Sequence, residues 1–147
     1  GSGRIVEVIG RGEPAIMVCH WPGIYFNGEE IGFRIFQEVV QRLHKRYDNL
    51  IWMKLAEISR YWAAKELTRI EKNGNRVILH APFASPQFTL AVGGALNSEP
   101  RIAGEGGAKP FERVARLLDL RAGTWTRDGN RTAVCFDLAK GRTEIVV

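Results

Sequence analysis

"TRIEKNGNRVILHA", residues 68–81, is the stretch that decides the fold, because the chain changes there from a helical pattern to a pattern of strands. Asn73 and Gly74 can supply the positive φ angles that a tight hairpin turn needs. A second hairpin signal, Asp128-Gly129, lies within "GTWTRDGNRTAVCFDL", residues 123–138. With the strand-like stretches "PQFTLAVGG" and "GRTEIVV", residues 68–147 are predicted to form an antiparallel β-sandwich.

The preceding half, residues 4–67, is predicted to follow the order strand, helix, strand, helix. Short apolar runs at 4–9, 15–19 and 50–55 predict strands. Residues 31–47 carry apolar side chains at helical spacing, and "AEISRYWAAKELTRI" predicts a second helix. This order is typical of a right-handed βαβ crossover. The predicted fold class is therefore α+β, with an α/β portion followed by a sandwich.

Two helices are too few to cover both faces of such a small parallel sheet, which is normally buried on both sides. The first half is therefore expected either to belong to a larger α/β body or to pack against the β half. An exposed flank of the sheet would also suit assembly into an oligomer, since large exposed apolar patches usually mark interfaces.

The composition excludes several classes of protein. The chain has 147 residues and a formal net charge of +5, but its basic residues are spread along the sequence. The densest group, Arg42, Lys45 and Arg46, lies at the end of a predicted helix, where cations complement the helix dipole, so no nucleic-acid partner is expected. No run of 18 apolar residues exists, so no membrane span is expected. Cys19 and Cys135 are predicted to be buried free thiols, with a pair across the core as the alternative.

His20 and Glu29 are the candidate catalytic residues. His20 directly follows the apolar run 15–19, which places it at the carboxyl end of a predicted strand, where α/β proteins bind ligands. Histidine transfers protons readily at neutral pH, although His20 could instead cap the strand end through a backbone hydrogen bond. Asn27 and Glu30 can form a capping box at the start of the first predicted helix. Glu29 is the remaining carboxylate and the expected partner of His20.

Trp21, Tyr25 and Asn27 are the candidate substrate-binding residues. Trp21 and Tyr25 flank a Pro-Gly turn, and exposed aromatic faces stack on sugar rings. The alternative is that both rings cover the end of the core, where Trp52 and Trp62 are also expected. The three histidines are too scattered for a zinc site and the cysteines do not join them, so no metal ligands are assigned.

"AIMVCHWPGIY", the amphipathic helix after it and "NLIWMKLAEISRYWAAKEL", followed by a β module, resemble the closing part of polysaccharide deacetylase-like proteins, the NodB-homology group. The resemblance covers roughly residues 14–66 and implies that the α/β portion is barrel-like, matching the last units of the family's barrel. It implies that His20 matches the family's late histidine, a catalytic acid, whereas Trp21 stands where the family commonly has Asp. The family's metal-binding Asp and two His belong to earlier barrel strands, and no stretch before residue 14 could supply them.

The resemblance implies a part of a carbohydrate-active hydrolase that cleaves an amide or ester on a polysaccharide or oligosaccharide. It implies no cofactor in this chain, and a divalent metal in a longer parent protein. The alternative is a non-catalytic module that binds carbohydrate or protein or supports assembly. In that case, the sandwich would present Phe83, Phe88 or Trp125 to the partner.

Overall fold

The computed structural model describes residues 2–94, 96, 98–104 and 106–147, which form an α+β protein. Four α-helices occur in these residues: Arg4–Gly10 (α1), Trp21–Tyr25 (α2), Ile31–Arg46 (α3) and Leu55–Leu67 (α4). Short 3-10 helices occupy Phe26–Gly28 and Leu117–Asp119. The strands are Arg69–Asn73 (β1), Arg76–Ala81 (β2), Ser85–Gly93 (β3), Arg101–Ile102 (β4), Lys109–Pro110 (β5), Glu112–Arg113 (β6), Thr124–Asp128 (β7), Arg131–Leu138 (β8) and Gly141–Val146 (β9).

The two long helices confirm the helical spacing seen in the sequence. The last turn of α3 carries His44, Lys45 and Arg46, which complement the negative end of the helix dipole. Glu57 caps the first turn of α4, because its Oε2 accepts the backbone N–H of Lys54 at 2.7 Å. Glu57 thus satisfies one of the backbone donors that a helix start leaves free.

The strands predicted in the first half are wrong. No strand lies before Arg69 in the part of the chain that the structure describes, so neither the strand-helix-strand-helix order nor the strands of a partial barrel are formed. Residues 4–10 form α1, and residues 15–19 and 50–54 have no regular secondary structure. An apolar run becomes a strand only where another strand takes up its backbone hydrogen bonds. The sheet flank expected to mediate an oligomer is therefore absent from these residues.

The second half contains two sheets that share one core. The first sheet has the order β1-β2-β9-β4-β5, and the second has the order β3-β8-β7-β6. Their pairs are antiparallel except for β6 with β7, which is parallel. Leu79 and Ile145 from the first sheet and Val134 and Phe136 from the second belong to a single buried cluster. This sandwich-like arrangement confirms the β prediction in its coarse form.

Both predicted hairpins form, with each turn one residue further along the chain. β1 ends at Asn73, which pairs with Arg76, so the turn residues are Gly74 and Asn75. Asp128 pairs with Arg131 in the same way, around Gly129 and Asn130. The glycines take φ values of +59° and +58°, whereas the asparagines do not have positive φ. Each turn thus needs one glycine in its first position.

The chain divides into two units, one ending at Ile58 and the other beginning at Ser59. The second unit contains the two sheets and the larger part of α4, whose Ala64 and Tyr61 join the sandwich core. The predicted domain boundary between residues 67 and 68 stays a prediction. Among the described residues, no helix has both the length and the apolar composition needed to cross a membrane.

Candidate functional site

His20 occupies the N-cap position of α2, not the end of a strand. Its backbone is extended, with φ −99° and ψ 139°, and its carbonyl oxygen accepts the N–H groups of Gly23 at 3.0 Å and Ile24 at 3.2 Å. The helix begins here because Pro22 sits in its first turn, where the missing N–H costs nothing. The imidazole itself is exposed. The predicted place of His20 at a strand end is wrong, because residues 15–19 form no strand.

Trp21 and Tyr25 are brought together by α2. They are four residues apart, so they lie on one face of the helix, and their ring centroids are 4.6 Å apart in an edge-to-face arrangement at 63°. Trp21 is 69% exposed and Tyr25 is 41% exposed. The two rings therefore do not cover a core, and they present aromatic surface beside His20.

The segment from Phe26 to Glu30 turns the chain from α2 into α3 through Gly28 and three non-glycine residues, all with positive φ. Phe26, Asn27 and Glu30 have φ values of 41°, 56° and 55°. The backbone N–H of Glu30 bonds the carbonyl of Tyr25 at 2.9 Å, and Glu30 is the N-cap of α3 without any side-chain hydrogen bond. The predicted capping box of Asn27 and Glu30 is therefore wrong. Asn27 is exposed and lies in the 3-10 turn.

Glu29 is exposed and does not pair with His20. Its carbonyl oxygen accepts Nη2 of Arg34 at 2.8 Å, which anchors the turn to α3. No hydrogen bond or ion pair joins the Glu29 carboxylate to His20, and both residues lie within the described part of the chain. The structure thus brings Trp21 and Tyr25 together but leaves the two candidate catalytic groups separate.

Glycine makes the packing of α2 against α3 possible. A Cβ atom on Gly32 would overlap the carbonyl oxygen of Gly23 and lie 2.8 Å from its carbonyl carbon and from the Cα of Ile24. Gly32 therefore lets the first turn of α3 approach the backbone of α2 closely. This contact fixes the position of His20, Trp21 and Tyr25 relative to α3.

The residues present do not fit a metal ion. Across residues 2–94, 96, 98–104 and 106–147, no three His, Cys, Asp or Glu side chains converge on a common point. His44 Nε2 accepts the indole N–H of Trp52 at 3.0 Å, and His80 lies in β2. A divalent metal of the kind that the deacetylase resemblance implies would find no ligand set among these side chains.

The first unit also exposes many large apolar side chains, which the sequence predictions missed. Among the described residues before Ser59, Leu43 is the one buried apolar residue. Most of the large apolar side chains that the described chain exposes lie in this first unit. The name N-terminal apolar surface is used below for these side chains, which are Ile16, Met17, Val18, Trp21, Tyr25, Phe26, Ile31, Phe33, Ile35, Phe36, Ile51, Trp52, Met53 and Leu55. The large apolar residues that this unit carries outside α3, in residues 16–26 and 51–55, are the sequence signal that could have revealed this surface.

Two tryptophans lie elsewhere than predicted, and the three aromatic residues considered for a partner site lie in or against the sandwich core. Trp52 and Trp62 are 55% and 48% exposed, although both were expected in the core. Phe88 and Trp125 are buried in the sandwich, and Phe83 is half-buried against the core, so the sandwich does not present them to a partner. Cys135 is a buried free thiol as predicted, whereas Cys19 is exposed, and no disulfide joins them.

No family model, no curated protein and no solved structure matches this chain. The resemblance to polysaccharide deacetylase-like proteins therefore stays a prediction from the residues.

Proposed function

We propose that this chain is part of a carbohydrate-active hydrolase of the polysaccharide deacetylase type. In this proposal, the N-terminal unit packs through its apolar surface against a larger catalytic body, and the sandwich is an accessory module. The observation that supports it best is the N-terminal apolar surface, which has almost no buried counterpart in its own unit.

The hydrophobic effect would favour burial of this surface against a partner. Burying one Leu, Ile, Phe or Met side chain contributes about 1.5–3 kcal/mol, and a single domain has a net stability of only about 5–15 kcal/mol. The first unit buries Leu43 but exposes large apolar side chains such as Phe33, Phe36 and Met53. It therefore lacks most of the stabilisation that burying these side chains would give. Packing against an apolar surface of a larger body would recover it.

His20, Trp21 and Tyr25 would then form one rim of the catalytic site. The two aromatic rings offer exposed faces to a sugar, and the adjacent imidazole could donate a proton to the leaving group of an amide or ester. Asn27 would contact the substrate and Glu29 would act with His20 once packing brings them closer. The divalent metal would be held by other parts of the protein, because the side chains described here do not form a ligand set.

Release of acetate from N-acetylated chito-oligosaccharide tests the proposal. The assay uses the protein as its gene encodes it, so that any further domain is present. The wild type is expected to release acetate, and His20→Ala is expected to lose at least a hundredfold in kcat/KM, the usual contribution of a general acid.

Two matched controls sharpen this assay. His44→Ala removes an exposed histidine outside the proposed rim, and Glu30→Gln removes the carboxylate adjacent to Glu29. The kcat/KM of both control variants should stay within twofold of the wild-type value, whereas Glu29→Gln should lower kcat. Absence of acetate release by the wild type, with or without added Zn²⁺, would contradict the hydrolase proposal.

A second candidate is a non-catalytic carbohydrate-binding or assembly module. It is favoured by the separation of His20 from Glu29 and by the exposure of the Trp21–Tyr25 pair, which can stack on a sugar without any chemistry. The same protein would then bind chito-oligosaccharide with no acetate release. Trp21→Ala would weaken this binding, while His20→Ala would not change it.

A further inference from the structure

The outer face of the first sheet carries a concentration of arginine. Val77, Leu79 and Ala81 of β2 point into the core, so the alternate residues Arg76, Ile78 and His80 point outward. The register of the neighbouring strands adds Arg69, Arg101 and Arg142 to the same face. The name basic face is used below for Arg69, Arg76, Arg101 and Arg142 around His80.

One rung of the sheet has basic side chains on three adjacent strands. Arg69 of β1 is directly opposite His80 of β2, and His80 is directly opposite Arg142 of β9. Adjacent strands are about 4.8 Å apart, so the backbones of the two arginines are separated by roughly 10 Å. No carboxylate belongs to this rung, but Glu71 and Glu144 lie on the next one. Nε of Arg69 is 3.3 Å from Oε1 of Glu71, and the Arg69 side chain remains 76% exposed.

Glu144 holds two of these arginines in place. Arg76 Nη1 lies 3.1 Å from Oε1 of Glu144, and Nη2 of Arg142 donates to Oε2. The Glu144 side chain is only 9% exposed, whereas those of Arg76 and Arg142 are 63% and 54% exposed. Each guanidinium has five N–H donors, so both arginines keep donors that point away from Glu144. The buried carboxylate therefore orders two cations whose outer sides face solvent.

We propose that the basic face binds an acidic polysaccharide through the carboxylates of its uronate residues. The inference rests on the proposed carbohydrate function and specifies the class of glycan. A guanidinium matches a carboxylate with two parallel hydrogen bonds, and a row of them at fixed spacing matches a polymer with regularly placed carboxylates. The face carries no Trp, Tyr or Phe, so it offers no stacking platform for a neutral sugar or for unpaired bases.

Binding of alginate, a polyuronate, by the full chain tests this inference. Titration calorimetry is expected to give binding to alginate that weakens as salt is raised, and no binding to neutral dextran. Arg69→Gln/Arg142→Gln should weaken alginate binding at least tenfold. Arg76 still pairs with Glu144 in this double variant, and its thermal unfolding shows whether the sandwich remains folded.

The matched control is Arg127→Gln/Arg131→Gln. It removes the same charge from exposed positions at the hairpin of the second sheet, where neither arginine has an ion pair in the described residues. The alginate affinity of this double variant should stay within twofold of the wild-type value. Equal losses of alginate affinity in the two double variants would overturn the inference. Equal binding of alginate and dextran by the wild type would also overturn it.

Duplex DNA and poly-L-glutamate are the competing polyanions. Binding of either one as tightly as alginate would also overturn the assignment to a glycan. The acetate assay uses a neutral substrate and depends on His20, so it reports separately on the proposed function. Alginate binding without acetate release would support the proposed role of the basic face and contradict only the hydrolase proposal.

Discussion

Gly32 lies against the carbonyl group of Gly23, at a place where no Cβ atom fits. A Cβ there would lie 2.8 Å from the carbonyl carbon of Gly23, well inside van der Waals contact. The position of α2, and with it the proposed substrate rim, thus depends on a residue that carries no side chain.

Gly32→Ala is expected to separate α2 from α3. Overpacking of this kind costs about 1–3 kcal/mol, enough to displace a helix of five residues. The ¹H–¹⁵N NMR spectrum should show large shifts for the amides of Trp21 to Tyr25. Gly23→Ala is the control, because a Cβ on Gly23 meets no atom within 4 Å. Equal shifts in both variants would show that the close contact does not exist in solution.

The hairpin glycines are expected to be individually important for stability. Gly74→Ala and Gly129→Ala place a Cβ in the left-handed region, which costs about 1–2 kcal/mol per residue. Urea unfolding should show a decrease of this size in the free energy of unfolding for each variant. Gly93→Ala, whose φ is not positive and which has open space around it, should change it much less. An unchanged value in both hairpin variants would mean that the turns tolerate other conformations.

Glu144 is expected to make the sandwich sensitive to acid. The hydrogen bond from Arg142, together with the charges of Arg142 and Arg76, holds the pKa of Glu144 below its ordinary value of 4.5. A carboxyl whose pKa is lowered by folding stabilises the protein fully above its unfolded pKa. This contribution is lost as the pH falls through the lower pKa of the folded state.

Thermal unfolding between pH 7 and pH 2 checks this prediction. Glu144→Gln should lower the midpoint temperature of thermal unfolding at pH 7. The difference in this midpoint from the wild type should shrink below about pH 4.5. Glu71→Gln, which removes an exposed carboxylate on β1, two strands away in the same sheet, is the control. A constant difference between wild type and Glu144→Gln across the whole range would contradict the prediction.

The two thiols are expected to differ in reactivity. Cys135 is 2% exposed and burial raises the pKa of its thiol, so both access and thiolate population are low. Cys19 is exposed. One equivalent of DTNB should therefore react quickly with the folded chain and two with the urea-unfolded chain. Cys19→Ser should abolish the fast reaction, and fast reaction of two thiols in the folded chain would show that β8 is not buried.

The sequence predicted the elements whose signals are local. The Asn-Gly and Asp-Gly pairs identified both hairpins, because a turn that needs positive φ selects glycine whatever the rest of the chain does. The apolar spacing in residues 31–46 identified α3 for a similar reason, since helical hydrogen bonds join residues of the same segment.

The errors occurred where structure depends on distant partners. Residues 15–19 have the composition of a buried strand, but a strand also needs a neighbour, and none is present in the described chain. Without that strand, His20 could not lie at a strand end. Trp52 and Trp62 were expected in the core because they fall on the buried positions of their predicted elements, whereas burial depends on what packs over them. Trp125 is buried because a second sheet lies over its side of β7.

The edges of the two sheets determine how the sandwich behaves at high concentration. The edge strands β5 and β6 have only two residues each, too few to template a strand from another molecule. The longer edge strand β3 has Pro86 as its second residue and an irregularity between Ser85 and Phe88, where Gln87 has φ 51°. These interruptions leave β1 and the second half of β3 as the uninterrupted edges. Within the described residues, aggregation by strand addition is therefore expected at these two segments.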